Sequence, residues 1–354
     1  MRQGACGILR TMVFVALAIH LAACGSHSSL TSIAPPGGTP TSANGTAASG
    51  PLLGAWWDSS QNGLRPVYGV AGAAYQGAAT YSDGSYNGAV TCMRKSVALL
   101  TTSSGALFSV NLPQGKPVQI VSNGIPKPWI AFSPSCTSSL VYTPGSSPAL
   151  LVQALLSTPT ITSVMLPAGV SAAIVADSGS ILVETSDADS SAVIQLLAIG
   201  TNTLQPVTTL SGFGGMAFLP GVDSALLADA TMNNVIVASH LTSNMSLSSI
   251  ANAADGVAKP TAVAISADGH FAAIVNSNGS NVLRLDLSRQ SAPIKTACND
   301  FAPSELVPLA GNFAFQLNAA GSGTIWAFDG NSSKPRVFFI PSDQVARSSK
   351  RGGR

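Results

Sequence analysis

What limits this chain most is that it repeats. Segments beginning Ala106-Leu-Phe-Ser-Val-Asn, Ala149-Leu-Leu-Val-Gln, Ala192-Val-Ile-Gln-Leu, Asn234-Val-Ile-Val-Ala, Asn281-Val-Leu-Arg-Leu-Asp and Thr324-Ile-Trp-Ala-Phe-Asp start 43, 43, 42, 47 and 43 residues apart. A second set keeps the same period: Ile130-Ala-Phe-Ser-Pro, Ala173-Ile-Val-Ala-Asp, Met216-Ala-Phe-Leu-Pro and Val263-Ala-Ile-Ser-Ala. The unit is clearest at residues 259–288, where three short apolar runs are separated by Asp268-Gly269 and by the turn residues 276–280. Asp-Gly between apolar runs marks a hairpin, because a type I′ turn requires positive φ at both central residues. A fourth run closes most units, as at residues 117–122, 160–166, 204–210 and 336–340.

A four-strand unit recurring about every 43 residues cannot bury its own apolar faces, and stacking such units around an axis buries them. The sequence therefore predicts an all-β protein, a β-propeller of six or seven four-stranded blades over residues 53–342. The order in residues 259–288, Pro260 before the first strand, Asp268-Gly269 after it and Asn281-Val-x-x-x-Asp286 in the third, resembles the YVTN and WD40-like propellers of bacterial surface proteins. Residues 127–156 follow that pattern too. The resemblance implies the fold; the family includes binders, scaffolds and some enzymes, so it does not fix an activity.

At the start of the repeat, Gly54-Ala-Trp-Trp-Asp58 reads as a third strand and residues 64–70 as a fourth, followed by a Gly, Ala and Tyr loop over 71–88. Two readings of this pair stand: it packs on the last module and closes a ring, or it belongs to a seventh blade. The last module carries Phe313, Phe315, Trp326, Phe328, Phe338 and Phe339, a density suited to holding the two ends together.

Residues 1–23 read as a leader, with Arg2 and Arg10 ahead of an apolar stretch too short to cross the roughly 30 Å hydrocarbon layer as a helix. Leu21-Ala-Ala-Cys24-Gly25 resembles the lipobox of bacterial lipoproteins. That likeness implies diacylation of Cys24, cleavage before it and N-acylation of the new terminus, and so a stable membrane anchor. An ordinary signal peptide cut after Ala23 is the alternative. Residues 24–52 read as the lipidated Cys24 and a disordered tether: residues 26–51 are mostly Ser, Thr, Ala, Gly and Pro, which cannot bury a core, and span about 28 Å. Residues 343–354 read as a disordered basic tail.

Only 9% of residues are charged, against roughly 25% in ordinary globular chains. Without the leader the chain has 15 basic and 15 acidic residues, and four of the bases (Arg347, Lys350, Arg351 and Arg354) lie in the last eight positions. No basic face is left to suit nucleic acid. Beyond the leader and tether only His240 and His270 remain, and no nucleophile–base set, metal motif or cofactor cradle has recognisable spacing. No metal site, cofactor or catalytic residue is therefore expected. Asp58, Asp286 and Asp329 read as caps at third-strand ends, where Asn111 and Ser239 stand in other units. Asp187 and Asp189 lack the further ligands of a Ca²⁺ loop and read as a solvated turn.

Lys127 and Lys259 each precede a proline that opens a first strand. In a propeller this connection lies on the end where ligands usually bind, so the pair is a candidate for meeting an anionic ligand. Cys92 and Cys136 are 44 residues apart, about one period, and either pair across neighbouring modules or stand too far apart for the Cα separation a disulfide needs. With them paired, Cys298 is the odd thiol. Together these features predict a lipid-anchored, non-enzymatic binding or scaffold module of the cell envelope, with a protein or small anionic ligand on the propeller face. Gly25 after Cys24, in place of a retention Asp, favours the outer membrane in a diderm host. A lactonase-like propeller hydrolase and an outer-membrane assembly scaffold are the alternatives.

Overall fold

The computed structural model describes residues 50–341 apart from 188, 190, 202, 319–323 and 332. The leader, Cys24, nearly all of the tether and the basic tail lie outside the described residues. Sheet 1 holds β1 (Leu52–Asp58), β2 (Gly63–Val70) and β3 (Ala73–Gln76). Sheet 2 holds β4 (Gly88–Cys92), β5 (Val97–Thr101), β6 (Leu107–Asn111) and β7 (Val118–Val121). Sheet 3 holds β8 (Trp129–Phe132), β9 (Ser139–Tyr142), β10 (Ala149–Gln153) and β11 (Thr160–Val164). Sheet 4 holds β12 (Val170–Val175), β13 (Ile181–Ser186), β14 (Ala192–Leu197) and β15 (Leu204–Leu210). Sheet 5 holds β16 (Phe213–Phe218), β17 (Ser224–Asp229), β18 (Asn234–Ser239) and β19 (Ser246–Ala251). Sheet 6 holds β20 (Pro260–Ile265), β21 (Phe271–Asn276), β22 (Asn281–Asp286) and β23 (Ile294–Ala297). Sheet 7 holds β24 (Val307–Pro308), β25 (Ala314–Gln316), β26 (Ile325–Asp329) and β27 (Arg336–Ile340).

Every sheet is an antiparallel meander in chain order. Second strands are covered on both faces, so β5 is buried at all five positions and reads as an unbroken apolar run. Fourth strands lie at the rim, and β11 is exposed at four of its five positions. Neighbouring sheets share one apolar layer, for instance Leu182, Ile194 and Leu196 of sheet 4 against Met216, Phe218 and Leu227 of sheet 5. Each such side chain, fully buried, contributes about 1.5–3 kcal/mol.

Sheet 1 completes a seven-bladed ring. Leu53, Trp56 and Val67 pack on Leu309, Ala314, Ala327 and Phe338 of sheet 7. The opposite face places Ala55 and Leu64 against Ala98, Leu100 and Val110 of sheet 2. The aromatic set of the last module divides differently from the sequence expectation. Phe313, Phe315 and Phe328 pack with Ala264, Ala273, Val275 and Val282 of sheet 6, and Phe339 is 59% exposed. The closing seam rests on Phe338 and Ile340 with aliphatic partners and Trp56.

The places of the strands in sheet 1 also correct the sequence reading. Asp58 accepts N–H bonds from Ser60 (2.9 Å) and Gln61 (3.2 Å), as Asp229 accepts from Thr231 (3.0 Å) and Met232 (2.9 Å). Asp229 ends β17, a second strand, so β1 holds second place and not third. Two contacts agree. Ala310 N–H donates to Leu53 C=O at 2.7 Å, as Ala267 N–H donates at 2.7 Å to Asn312 just ahead of β25. Arg336 at the start of β27 donates to Ala71 C=O (3.2 Å) beside β3, fourth strand near fourth strand. β2 is therefore the third strand and β3, inside the stretch read as a loop, the fourth. Two things obscured this: β1 is buried on both faces and shows no alternation, and Ala73-Ala-Tyr-Gln carries no apolar pattern.

Sheets 5 and 6 meet so closely that β16 needs glycine. A Cβ on Gly214 would stand 2.8 Å from Pro260 O and 2.9 Å from Ala228 O, both backbone atoms. Gly214→Val is expected to cost about 1–3 kcal/mol and to lower the melting temperature of the whole domain in one cooperative transition. Calorimetry of the two proteins checks this.

Candidate functional site

The first strands of sheets 2 to 7 run around a central channel of about 260 Å³. Its wall is largely apolar, with Val90, Phe132, Ile174, Met216, Phe218 and Val263 among the lining side chains. Arg94 is the charged residue of the lining. It stands in the turn after β4 and reaches across the end of the channel. Its Nη1 donates to Pro134 C=O and its Nη2 to Ile265 C=O, each at 2.7 Å, so one guanidinium joins sheets 2, 3 and 6. Burial pulls its pKa down while Asp177 and Asp268 push it up; a guanidinium in a protein stays charged.

The turns between first and second strands bond to each other at this end. Asp177 accepts from Ser135 N–H (2.8 Å), Ser135 Oγ (2.6 Å) and Gly221 N–H (3.3 Å), linking sheets 3, 4 and 5. Asp268 N–H donates to Asn312 Oδ1 (2.9 Å), and Asn312 Nδ2 donates to Asp268 Oδ2 (2.6 Å), linking sheets 6 and 7. Burial raises both carboxyls, and the hydrogen bonds outweigh it and leave them below the usual range. Cys92 and Cys136 sit at this end as well, joined by a disulfide with Cα atoms 5.9 Å apart. The two are not at equivalent positions. Cys92 ends β4, whereas Cys136 lies in the turn beyond β8 at φ 62°, and that offset brings them within disulfide reach. The bond fixes the Arg94 turn to sheet 3. Cys298 is a buried free thiol, and burial lifts its pKa to about 11.

Lys127 and Lys259 lie at the opposite end, in the connections before β8 and β20. Both are exposed and adopt positive φ, 50° and 51°. Lys259 N–H donates to Asn233 Oδ1 at 2.5 Å. They belong to non-adjacent sheets, and neither lines the channel. The structure therefore puts the two on one end without pairing them.

The remaining sequence candidates are turn residues. Asp286 accepts from the N–H and Oγ of Ser288 and Ser291, and those bonds lower its pKa to about 2. Asp329 accepts from Asn331 N–H at 3.1 Å. Both cap turns after third strands; Asp58 caps one after a second strand and pairs with Arg65 at 3.1 Å. Asp189 accepts from Ser191 N–H in an exposed turn that also carries Asp187. His270 is exposed beside Asp268 at 3.6 Å, and His240 is exposed in a turn. Among the described residues no three of His, Cys, Asp and Glu converge as metal ligands. Sequence reasoning missed Arg94, because it does not recur with the repeat; its one signal is its place two residues after Cys92.

No family model and no curated protein matches the chain. Solved structures do. A functionally unknown protein from Desulfotomaculum acetoxidans DSM 771 aligns with TM-score 0.54 at 13% identity, over 83% of this chain and 100% of its own. The β-propeller domain of Myceliophteria thermophila Cps50 (Swd1) gives TM-score 0.47 at 10% identity, over 73% and 86%. Streptogramin B lyase gives 0.46 at 14% identity, over 73% and 83%. At such identity the first of these shows a likeness of fold alone, and the seven sheets of the chain make it a seven-bladed β-propeller.

Replacing Arg94 by Leu leaves two carbonyls without their donor, and should cost about 1–3 kcal/mol; Arg94→Lys, which cannot fork to both, should recover only part. Denaturant unfolding of both variants tests this. A second expectation concerns Glu184, which is 2% exposed, with Oε2 lacking a hydrogen-bond partner among the described residues. Burial raises its pKa. A raised folded-state pKa favours the fold below the unfolded value and loses that contribution as pH climbs through the folded value. Glu184→Gln should therefore raise the melting temperature at neutral pH. The gain should shrink as the buffer approaches the ordinary glutamate pKa, about 4.3.

Proposed function

We propose that this protein is a lipid-anchored β-propeller of the cell envelope that works as a non-catalytic binding or scaffold module. The observation that carries the reading is the character of the channel: apolar walls, with a single arginine across one end already committed to two backbone carbonyls. Such a lining supplies neither a nucleophile with its base nor a ligand set, which acyl transfer or metal-assisted hydrolysis would require. A ring of sheets joined by loops of differing length suits recognition of a partner. The binding end is the one opposite Arg94, where the exposed Lys127 and Lys259 offer two separated positive charges. Its partner is a protein, or a small anionic ligand, met near the membrane to which the lipid on Cys24 tethers the chain. In a diderm host that membrane is the outer one.

Two measurements test this. Cys24→Ser should move the protein from the membrane fraction to the soluble fraction and abolish fatty-acid labelling; continued acylation would refute the anchor. A partner captured by crosslinking in intact cells should be lost from Lys127→Glu/Lys259→Glu at unchanged melting temperature. Equal capture by that variant places binding elsewhere on the ring.

A further inference from the structure

Lysine and arginine are missing from three of the seven sheets. Sheets 3 to 5 run from Trp129 to Ala251. That stretch carries Asp177, Glu184, Asp187, Asp189, Asp223 and Asp229, and neither of the two bases. All eleven lysines and arginines between the tether and the basic tail belong to the rest of the chain. The same three sheets expose apolar side chains at the Arg94 end. Leu156, Ile199 and Met245 stand in turns between third and fourth strands, and Val222 in a turn between first and second. Ile161 and Leu247 are the second residues of β11 and β19, whose starts lie at that end. These six belong to the thirteen large apolar side chains exposed among the described residues, and range from 37% at Met245 to 53% at Val222. Single exposed apolar residues are ordinary, whereas several gathered at one place mark a contact surface.

Two clefts lie among them. A cavity of about 400 Å³ opens between sheets 4 and 5, with Asp177, Ile199, Val222, Asp223 and Thr242 in its walls. A second, of about 200 Å³, opens between sheets 3 and 4 and shares Ile199 with the first. The two acids of the larger cleft differ. Asp177 accepts on both oxygens, Oδ1 from Ser135 and Oδ2 from Gly221. Asp223 takes the N–H (2.8 Å) and Oγ1 (2.6 Å) of Thr242 on Oδ2 alone. Its Oδ1 is therefore open to a donor from outside.

We propose that the Arg94 end of sheets 3 to 5 is a second docking surface, for a segment of a partner protein that presents a lysine or arginine beside aliphatic side chains. The cation meets Asp223 in the larger cleft, and its aliphatic neighbours pack on Ile199 and Val222. Charge selects this occupant. A surface of acids without a base of its own attracts a cationic segment and repels an anionic one, while the exposed apolar side chains supply area to bury. The surface lies at the opposite end from Lys127 and Lys259, so the ring offers acidic and basic docking on its two ends, as a scaffold joining unlike partners requires.

The test titrates the chain carrying Cys24→Ser with the peptide acetyl-Gly-Leu-Lys-Leu-Gly-Leu-Lys-Leu-Gly-amide and follows backbone amide shifts by NMR. Saturable shifts are expected at Ile199, Val222 and Thr242. The same peptide with glutamate for lysine should leave them in place. Asp223→Asn, which keeps an acceptor for Thr242, should bind at least fivefold more weakly at an unchanged melting temperature. So should Ile199→Ser/Val222→Ser. Lys127→Glu/Lys259→Glu should bind this peptide as the parent does, which separates the result from the fate of the binding end proposed above. No shift at the three amides, an equal response to the glutamate peptide, or undiminished binding by Asp223→Asn overturns the proposal. So do shifts at these amides that follow protein concentration without peptide, or that follow removal of residues 343–354. Those outcomes would give the cleft to a second copy or to the chain's own basic tail.

Discussion

The ring depends on one seam, where sheet 1 from the start of the propeller meets sheet 7 from its end. Every other junction joins sheets consecutive in the chain, so failure there is opposed by the connection itself. At this seam only packing and a few bonds act: Leu53, Trp56 and Val67 against Leu309, Phe338 and Ile340, with the Ala310 to Leu53 hydrogen bond. Opening it would expose two apolar sheet faces at once. Stability of this fold is therefore a property of the whole circle, unlike an open solenoid whose units answer only to their neighbours.

The two ends of the circle are chemically unlike. At one end the turns bond to one another, through Asp177, Asp268 with Asn312, the Cys92–Cys136 link and the Arg94 fork. Their polar groups are consumed by structure. At the other, Lys127 and Lys259 adopt positive φ and keep their side chains exposed, while Lys259 N–H is bonded across to Asn233 of the neighbouring sheet. At the braced end the carboxyls of Asp177, Asp268 and Asp286 lie below the usual range because their turns offer them several N–H and O–H donors.

The repeat made the fold readable, because two anchors, each recurring every 42 to 47 residues, survive in strands whose alternation or apolar runs are intact. What escaped was whatever departs from the repeat. β3 has no apolar pattern, so it read as loop; β1 is covered on both faces, so its place in the sheet was misassigned by one. The aromatic residues of the last module were visible, but which face each takes depends on pleat and register, and three of them turn to sheet 6. Arg94 was illegible for a simpler reason: its partners are backbone carbonyls, which carry no residue identity, and Ile265 lies 171 positions away.

The Arg94 fork has one more consequence. Because its two acceptors belong to sheets on different sides of the channel, the arginine measures a width, and the distance between sheets 3 and 6 is held by its length. A ring so gauged at one end can respond to an occupant only by flaring at the other. The molecule is thus built as a cup with a fixed base, and any movement that signals occupancy would appear at its lip.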